Sequence, residues 1–183
     1  LSRQLSIFFK YYIRSILKNG EYHIDGEKKL TERNATIVYS GGDDVFIVGA
    51  WNEVIELSID LQEKFKKYTQ GTLSISSGIG IYECTYPIGA IANETGEMEA
   101  ESKRMPEKDS VTFMDDGETH LINELEICDG TYRWEELYKS VLGEKYDVIQ
   151  DFLGESDERG MSFLYRMLEL IRNQKEKINF ARF

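Results

Sequence analysis

The feature that most restricts how this chain can fold is Gly41-Gly42, which interrupts two β-branched and aromatic runs. Those runs are residues 35–40 (Ala-Thr-Ile-Val-Tyr-Ser) and Val45–Val48. Each favours extended backbone, and glycines between them supply the positive φ that a tight hairpin turn requires. The chain is therefore expected to double back over residues 41–44. That places Asp43 and Asp44 at the tip of the hairpin, at the edge of whatever sheet it joins.

The flanking pattern says what the hairpin packs against. Leu5, Phe8, Phe9, Tyr12, Ile13 and Ile16 recur at helical spacing, which predicts an amphipathic helix over 2–18, ended near Asn19-Gly20. Residues 20–34 are polar and carry an Asp25-Gly26 turn signal. Behind a candidate N-cap at Asn52, Val54, Leu57, Leu61, Phe65 and Tyr68 fall on one helix face that stops near Gly71. Residues 72–81 alternate, with Leu73, Ile75, Ser77, Ile79 and Ile81 on one side, so a third strand is expected there. Gly78 and Gly80 leave its other side open to a close approach. A helix over about 88–104 and a short strand at 110–114 follow. The order α-β-β-α-β-α-β predicts an α+β fold, an antiparallel sheet with helices on one face as in ferredoxin-like or palm domains. Such folds open on a strand before the first helix, so the chain is read as an internal or C-terminal fragment of a larger protein.

Beyond Trp134 the pattern is helical, at Glu135–Leu142, Tyr146–Leu153 and Met161–Asn173, punctuated by Gly143, Gly154 and Gly160. The last segment sets Leu164, Met167, Leu168 and Ile171 on one side. The sequence thus divides into a palm-type domain over 1–130 and a small all-α domain over 131–183. Between Glu94 and Asp129 twelve acids face three bases, and the whole chain carries a net charge of −11. That argues against broad nonspecific binding to nucleic acid, which needs Lys and Arg to displace counterions. Glu94, Glu97, Glu99 and Glu101 read as a solvated face. The two cysteines, Cys84 and Cys128, form no metal spacing and read as reduced core residues of a cytoplasmic protein. No run of apolar residues is long enough to cross a membrane.

Chemistry concentrates at the turn. Glycine backbone can approach a phosphate closely, and adjacent carboxylates at a hairpin tip can share a hard cation such as Mg²⁺ (or Mn²⁺) with substrate phosphates. Two such ions can stabilise the attacking and leaving oxygens of an in-line displacement. The competing reading is that Gly-Gly-Asp-Asp is merely a good turn. Successive strand residues face opposite sides, so Asp43 and Asp44 can serve one site only if the chain is still turning at Asp43.

Tyr39-Ser40-Gly41-Gly42-Asp43-Asp44 resembles the second palm domain in the large subunit of type III CRISPR effector complexes, most closely the Csm-type (III-A) branch. The likeness extends through residues 1–9, Val48-Gly49-Ala50-Trp51, residues 75–80, Tyr86-Pro87-Ile88, residues 92–103, 163–172 and 178–183. The resemblance implies a GGDEF-like palm and a C-terminal helical domain. It implies that target RNA activates the complex to join ATP, its substrate, into cyclic 3′–5′ oligoadenylates. Asp43 and Asp44 would hold the metals and catalyse, Asp44 as the more direct ligand because it takes the position that GGDEF palms give to a metal-binding glutamate, while Ser40, Gly41 and Gly42 would line the nucleotide. Lys103 matches a phosphate-binding lysine of GGDEF-type cyclases. Partners would be the first palm domain and the rest of the subunit, the other effector subunits, and guide and target RNA. His23 and His120 do not stand in for the family's HD nuclease domain.

Two other classes compete. A GGDEF-type diguanylate cyclase would show Glu-Phe where this chain has Asp44-Val45. A scaffold module without turnover would use its acidic face and helices only to dock neighbouring subunits. Because the resemblance places another metal-bearing aspartate and a facing palm outside these residues, the isolated chain is expected to make no cyclic oligoadenylate from ATP and Mg²⁺. Chromatography of the reaction checks this, and cyclic product from the isolated chain overturns it.

Overall fold

The computed structural model describes residues 2–22, 24, 32–114, 119–122 and 124–154, with Ser162, Tyr165, Arg166, Leu168 and Glu169 as helical positions beyond. The chain divides into two compact units, Leu1–Tyr138 and Lys139–Phe183. The Asp25-Gly26 turn and most of the helix expected over 161–173 lie outside the described residues.

The first unit opens with α1 (Ser2–Ile7), which runs through one π-helical turn (Phe8–Tyr12) into α2 (Ile13–Lys18). The apolar spacing of the sequence brings Phe8, Phe9, Ile13 and Ile16 to one side, where all four are buried. They pack with Leu57, Leu61 and Phe65 of α3 (Trp51–Tyr68) and with Ile37, Val45 and Ile47 of the hairpin. Phe8 is the centre of this cluster. Its ring meets Phe65 edge-on at 5.1 Å and stacks on Tyr12 at 5.8 Å, geometries that aromatic quadrupoles favour.

The hairpin is β1 (Ala35–Gly41) and β2 (Asp44–Gly49), antiparallel as expected, with a bulge between Ile37 and Tyr39. Helix α3 starts ahead of the expected Asn52 cap. Ala50 is its extended N-cap residue, with no side-chain cap, because the chain leaves β2 with the Ala50 N–H bonded to Asn34 O and turns directly into the helix.

The expected strand over 72–81 is paired only at β3 (Ser77–Ile79). Alternation decides which way side chains face, whereas a ladder also needs a partner alongside. Here that partner is β4 (Ser110–Phe113), which runs parallel to β3, a departure from the expected antiparallel pairing. Helix α4 (Ile88–Ser102) lies against both. Gly78 is the close approach that the sequence suggested, and the visitor is the protein itself. A Cβ on Gly78 would lie 2.7 Å from the Glu99 nitrogen of α4. Gly80 is likewise covered by the ring of Tyr82, which stacks on Tyr86 at 5.3 Å.

Three further strands emerge, two where the sequence showed only an acidic stretch and one, at 131–133, inside the segment read as all-α. β5 (Thr119–Ile122) and β6 (Leu125–Cys128) form a hairpin, and β7 (Thr131–Arg133) pairs antiparallel with β4. Set among acids, these runs did not stand out, although β4, no longer than β5 or β6, did. The acids of α4 are not simply solvated. Glu101 accepts the Cys128 N–H at 3.1 Å, and Glu94 accepts the Tyr86 hydroxyl. Cys128 is buried as expected but Cys84 is exposed, since the loop from β3 to α4 leaves it at the surface. Next come α5 (Trp134–Glu136), a π-helical segment (Leu137–Lys145) that passes through Gly143 without breaking, and α6 (Tyr146–Gly154).

The loop read as merely polar holds a buried ion pair. Arg33 is 3% exposed, and its guanidinium meets Asp60 at 3.3 Å, lies 4.6 Å over the Tyr22 ring and donates to the Glu21 carbonyl. Asp60 is 1% exposed and also meets Lys64 at 2.5 Å. Removing one partner of a buried pair costs about 3–5 kcal/mol when the other charge is left unpaired, and less here because Lys64 still meets Asp60. Arg33→Met is therefore expected to speed hydrogen exchange of the α3 amides by about tenfold. Native-state exchange on the full-length subunit checks this, and unchanged exchange overturns it.

Candidate functional site

The turn is built by its glycine. Gly42 adopts φ +66°, and Gly41 pairs with Asp44, so the reversal is made by Gly42 and Asp43 alone. A side chain at Gly42 would be strained by roughly 1–2 kcal/mol for its left-handed backbone, though nothing stands within 4 Å of its would-be Cβ. Asp43 therefore sits in the turn itself and Asp44 is the first residue of β2. The two aspartates escape strict alternation because the chain is still turning at Asp43. Both are exposed, and neither makes a hydrogen bond or ion pair among the described residues.

The two faces of the hairpin differ. Ile37, Val45 and Ile47 join the aromatic cluster, so their side is the core face. Ser40 stands opposite Val45 and turns to the same side, where its hydroxyl donates to Phe9 O at 2.9 Å. Ser40 thus anchors the hairpin to the π-helical turn. Asp44 and Phe46 alternate with the core residues and face the other way. Gly41 lies opposite Asp44 on that outer face.

Lys103 follows the last turn of α4, where its backbone N–H bonds to Glu99 O and its ammonium meets the Glu99 carboxylate at 2.6 Å. The ammonium is held above the ordinary lysine value. Its hydrogen bond to Glu99 is the main cause. Partial burial opposes this, and the charges of Glu99, Asp44 and Asp43 add to it. Lys103 lies far along the chain from the turn, yet both aspartates act on it. The fold therefore sets the Lys103 ammonium within charge range of the Asp43 and Asp44 carboxylates at the Gly41-Gly42 turn. Ser40 instead faces the core side. Glu99 is a member that the sequence reading left on a solvated face, although its i,i+4 spacing to Lys103 was the available signal.

Asp43 and Asp44 suit a hard cation in kind, being adjacent, exposed and unpaired carboxylates. Mg²⁺ typically takes one or two carboxylates and completes its shell with water and phosphate. Among the described residues no group of three or more His, Cys, Asp or Glu side chains could hold a metal. A cavity of about 210 Å³, lined by Gln62, Phe65, Lys66, Leu73, Glu107 and Asp109 among others, includes none of the turn residues.

A glycine-turned hairpin bearing paired carboxylates, backed by helices and faced by a lysine, defines a palm-type domain. The profile of the family described as "Cas10/Cmr2, second palm domain" matches residues 1–112. That of the "CRISPR RNA silencing complex Cmr2 subunit, second helical domain" matches residues 150–183. The chain belongs to the Cas10/Cmr2 family, matching its second palm domain and, at its C-terminal end, its second helical domain. It is 41% identical over 182 residues to the single-strand-specific deoxyribonuclease Cas10/Csm1 (subtype III-A) of Mycobacterium tuberculosis, covering 99% of this chain and 21% of that protein. The chain thus spans about a fifth of the length of the curated relatives it matches. Among solved structures, a Csm1-Csm4 cassette in complex with one ATP superposes with a TM-score of 0.73 at 26% identity, covering 99% of this chain and 26% of that one. A Csm1-Csm4 cassette in complex with cA3 gives 0.67 at 25%, covering 98% and 26%. No helix among the described residues is long and apolar enough to cross a membrane.

The ordering of charges around Lys103 is testable. Glu99→Gln is expected to lower the Lys103 pKa more than Asp43→Asn with Asp44→Asn does, because Glu99 is its hydrogen-bond partner. NMR titration of the Lys103 ammonium in the subunit checks this, and a larger drop in the double aspartate variant overturns it. A raised lysine pKa favours the folded state at neutral pH. That support is lost only as alkaline pH rises through the raised value, and solvent screening keeps it small.

Proposed function

We propose that this chain supplies one half of a composite nucleotidyltransferase centre, in a complex that converts ATP to cyclic 3′–5′ oligoadenylates once target RNA is bound. The observation that carries this reading is two exposed carboxylates at a glycine turn, unengaged among the described residues, with a lysine far along the chain in charge range of both. Those are the groups that a triphosphate and its counter-cations require. Family membership and the related cassettes named with ATP and with cA3 support it.

In this reading Asp43 and Asp44 hold Mg²⁺ or Mn²⁺, with Asp44 as the more direct ligand. When bound, the metal neutralises triphosphate charge and favours ionisation of the attacking ribose 3′-hydroxyl. Gly41 and Gly42 keep side chains away from the phosphates, and Ser40 holds the hairpin against the core. Lys103, its ammonium held by Glu99, offers a point charge to the leaving pyrophosphate. The chain's contribution is positioning and charge compensation rather than covalent chemistry. The first palm domain of the same subunit completes the centre. The other effector subunits, guide RNA and target RNA are the partners, reached through the palm-type domain and the helical domain that follows it in the chain.

The test is Asp44→Asn in the full-length subunit, assembled and supplied with target RNA, ATP and Mg²⁺. Cyclic product is expected to fall by about a hundredfold or more, the loss seen when one preorganised electrostatic group is removed from an active site. Asp43→Asn is expected to lose less. Product formation that survives both substitutions together overturns the catalytic reading and leaves the scaffold reading standing.

A further inference from the structure

The bulge in β1 has a directional effect. Ile37 pairs with Ile47, yet the next paired residue is Tyr39, opposite Phe46, so Val38 is the extra residue. In an unbulged strand Tyr39 would follow Ile37 onto the core face and Ser40 would face outward. The inserted residue reverses both. Ser40 turns inward to Phe9, and Tyr39 moves to the outer face, the face of Asp44 and Gly41.

The ring then leans toward the turn. A Cβ built on Gly41 would fall on the Tyr39 phenol oxygen and lie 2.8 Å from its Cζ, so the hydroxyl rests over the Gly41 backbone. Gly41 and Asp44 are directly opposed, and opposed Cα atoms in an antiparallel ladder stand about 4.5–5.5 Å apart. A ligand oxygen held at the Asp44 carboxylate is therefore within reach of the phenol. Tyr39 is 58% exposed, and its hydroxyl has no hydrogen-bond partner among the described residues. A neutral phenol is a donor, and the cation Lys103 lies in charge range of the same aspartates.

We propose that Tyr39 is a substrate-positioning residue of the Asp44 site, donating its phenol hydroxyl to a phosphate oxygen of the nucleoside triphosphate. The inference rests on the nucleotidyltransferase reading and adds to it a named donor. It also gives the bulge and Gly41 a purpose: the bulge aims the ring, and the missing Cβ leaves room for it.

The experiment uses the full-length subunit in its assembled complex with target RNA. Tyr39→Phe keeps the ring and removes only the donor. It is expected to raise KM for ATP by about tenfold, the scale of a hydrogen bond to a charged group, with kcat within a factor of about two. Val38→Thr, on the bulge but outside the site, is expected to keep both constants. A Tyr39→Phe complex with an unchanged KM overturns the proposal. So does one whose kcat falls alongside faster hydrogen exchange in β1 and β2, since the phenol would then be structural. Asp44→Asn, run in parallel, separates the two claims. If it stays active, the site reading itself fails; if it is inactive while Tyr39→Phe matches the parent, only the Tyr39 inference fails.

Discussion

The hydrogen bond from Ser40 to the Phe9 carbonyl, 2.9 Å long, joins the two parts on which the first unit depends. On one side is an aromatic cluster centred on Phe8, where α1–α2 and α3 bury their apolar faces together. On the other is the hairpin whose turn carries Asp43 and Asp44. Apolar packing alone is non-directional and would allow the hairpin to slide or roll. The hydroxyl removes that freedom at the residue next to the turn. The accepting carbonyl belongs to the π-helical turn, a local departure of the kind often found near functional sites.

From that anchor the site follows in steps. Core-facing Val45 and Ile47 commit Asp44 and Phe46 to the opposite face. The bulge at Val38 brings Tyr39 to that face and Ser40 to the other. Gly42 then reverses the chain with Asp43 still in the turn. Helix α4 is seated on Gly78 of a separate sheet and sets Lys103 within charge range of the same aspartates. Glu99 holds that ammonium in place. Among the described residues the carboxylates themselves stay unengaged, as expected of groups kept available for a cation and its phosphates.

Helical segments with several apolar repeats were legible before the structure, because Phe8, Ile13 and Ile16, or Leu57, Leu61 and Phe65, recur at a period that only one backbone satisfies. The short strands β5 to β7 were not, since they lie among acids and turns and pair with elements that no local pattern names, whereas the equally short β4 stood out as a run of apolar and β-branched residues. Residues 72–81 alternate for their full length, yet only Ser77–Ile79 found a partner. Arg33 looked like loop chemistry; its burial against Asp60 depends on an element many residues away.

Sequence alone determined the hairpin, its glycine turn and the two aspartates at the tip, because β-propensity, turn chemistry and alternation are local properties of the backbone. The resemblance it carried led to the family. Tertiary structure decided what gathers around those aspartates. A one-residue bulge changes the facing of every residue beyond it, and no local pattern announces where the bulge falls, so the exposure of Tyr39 and the inward turn of Ser40 had to be seen. The approach of Lys103 likewise depends on helix α4 packing against a glycine in another strand, a long-range contact that spacing along the chain does not encode.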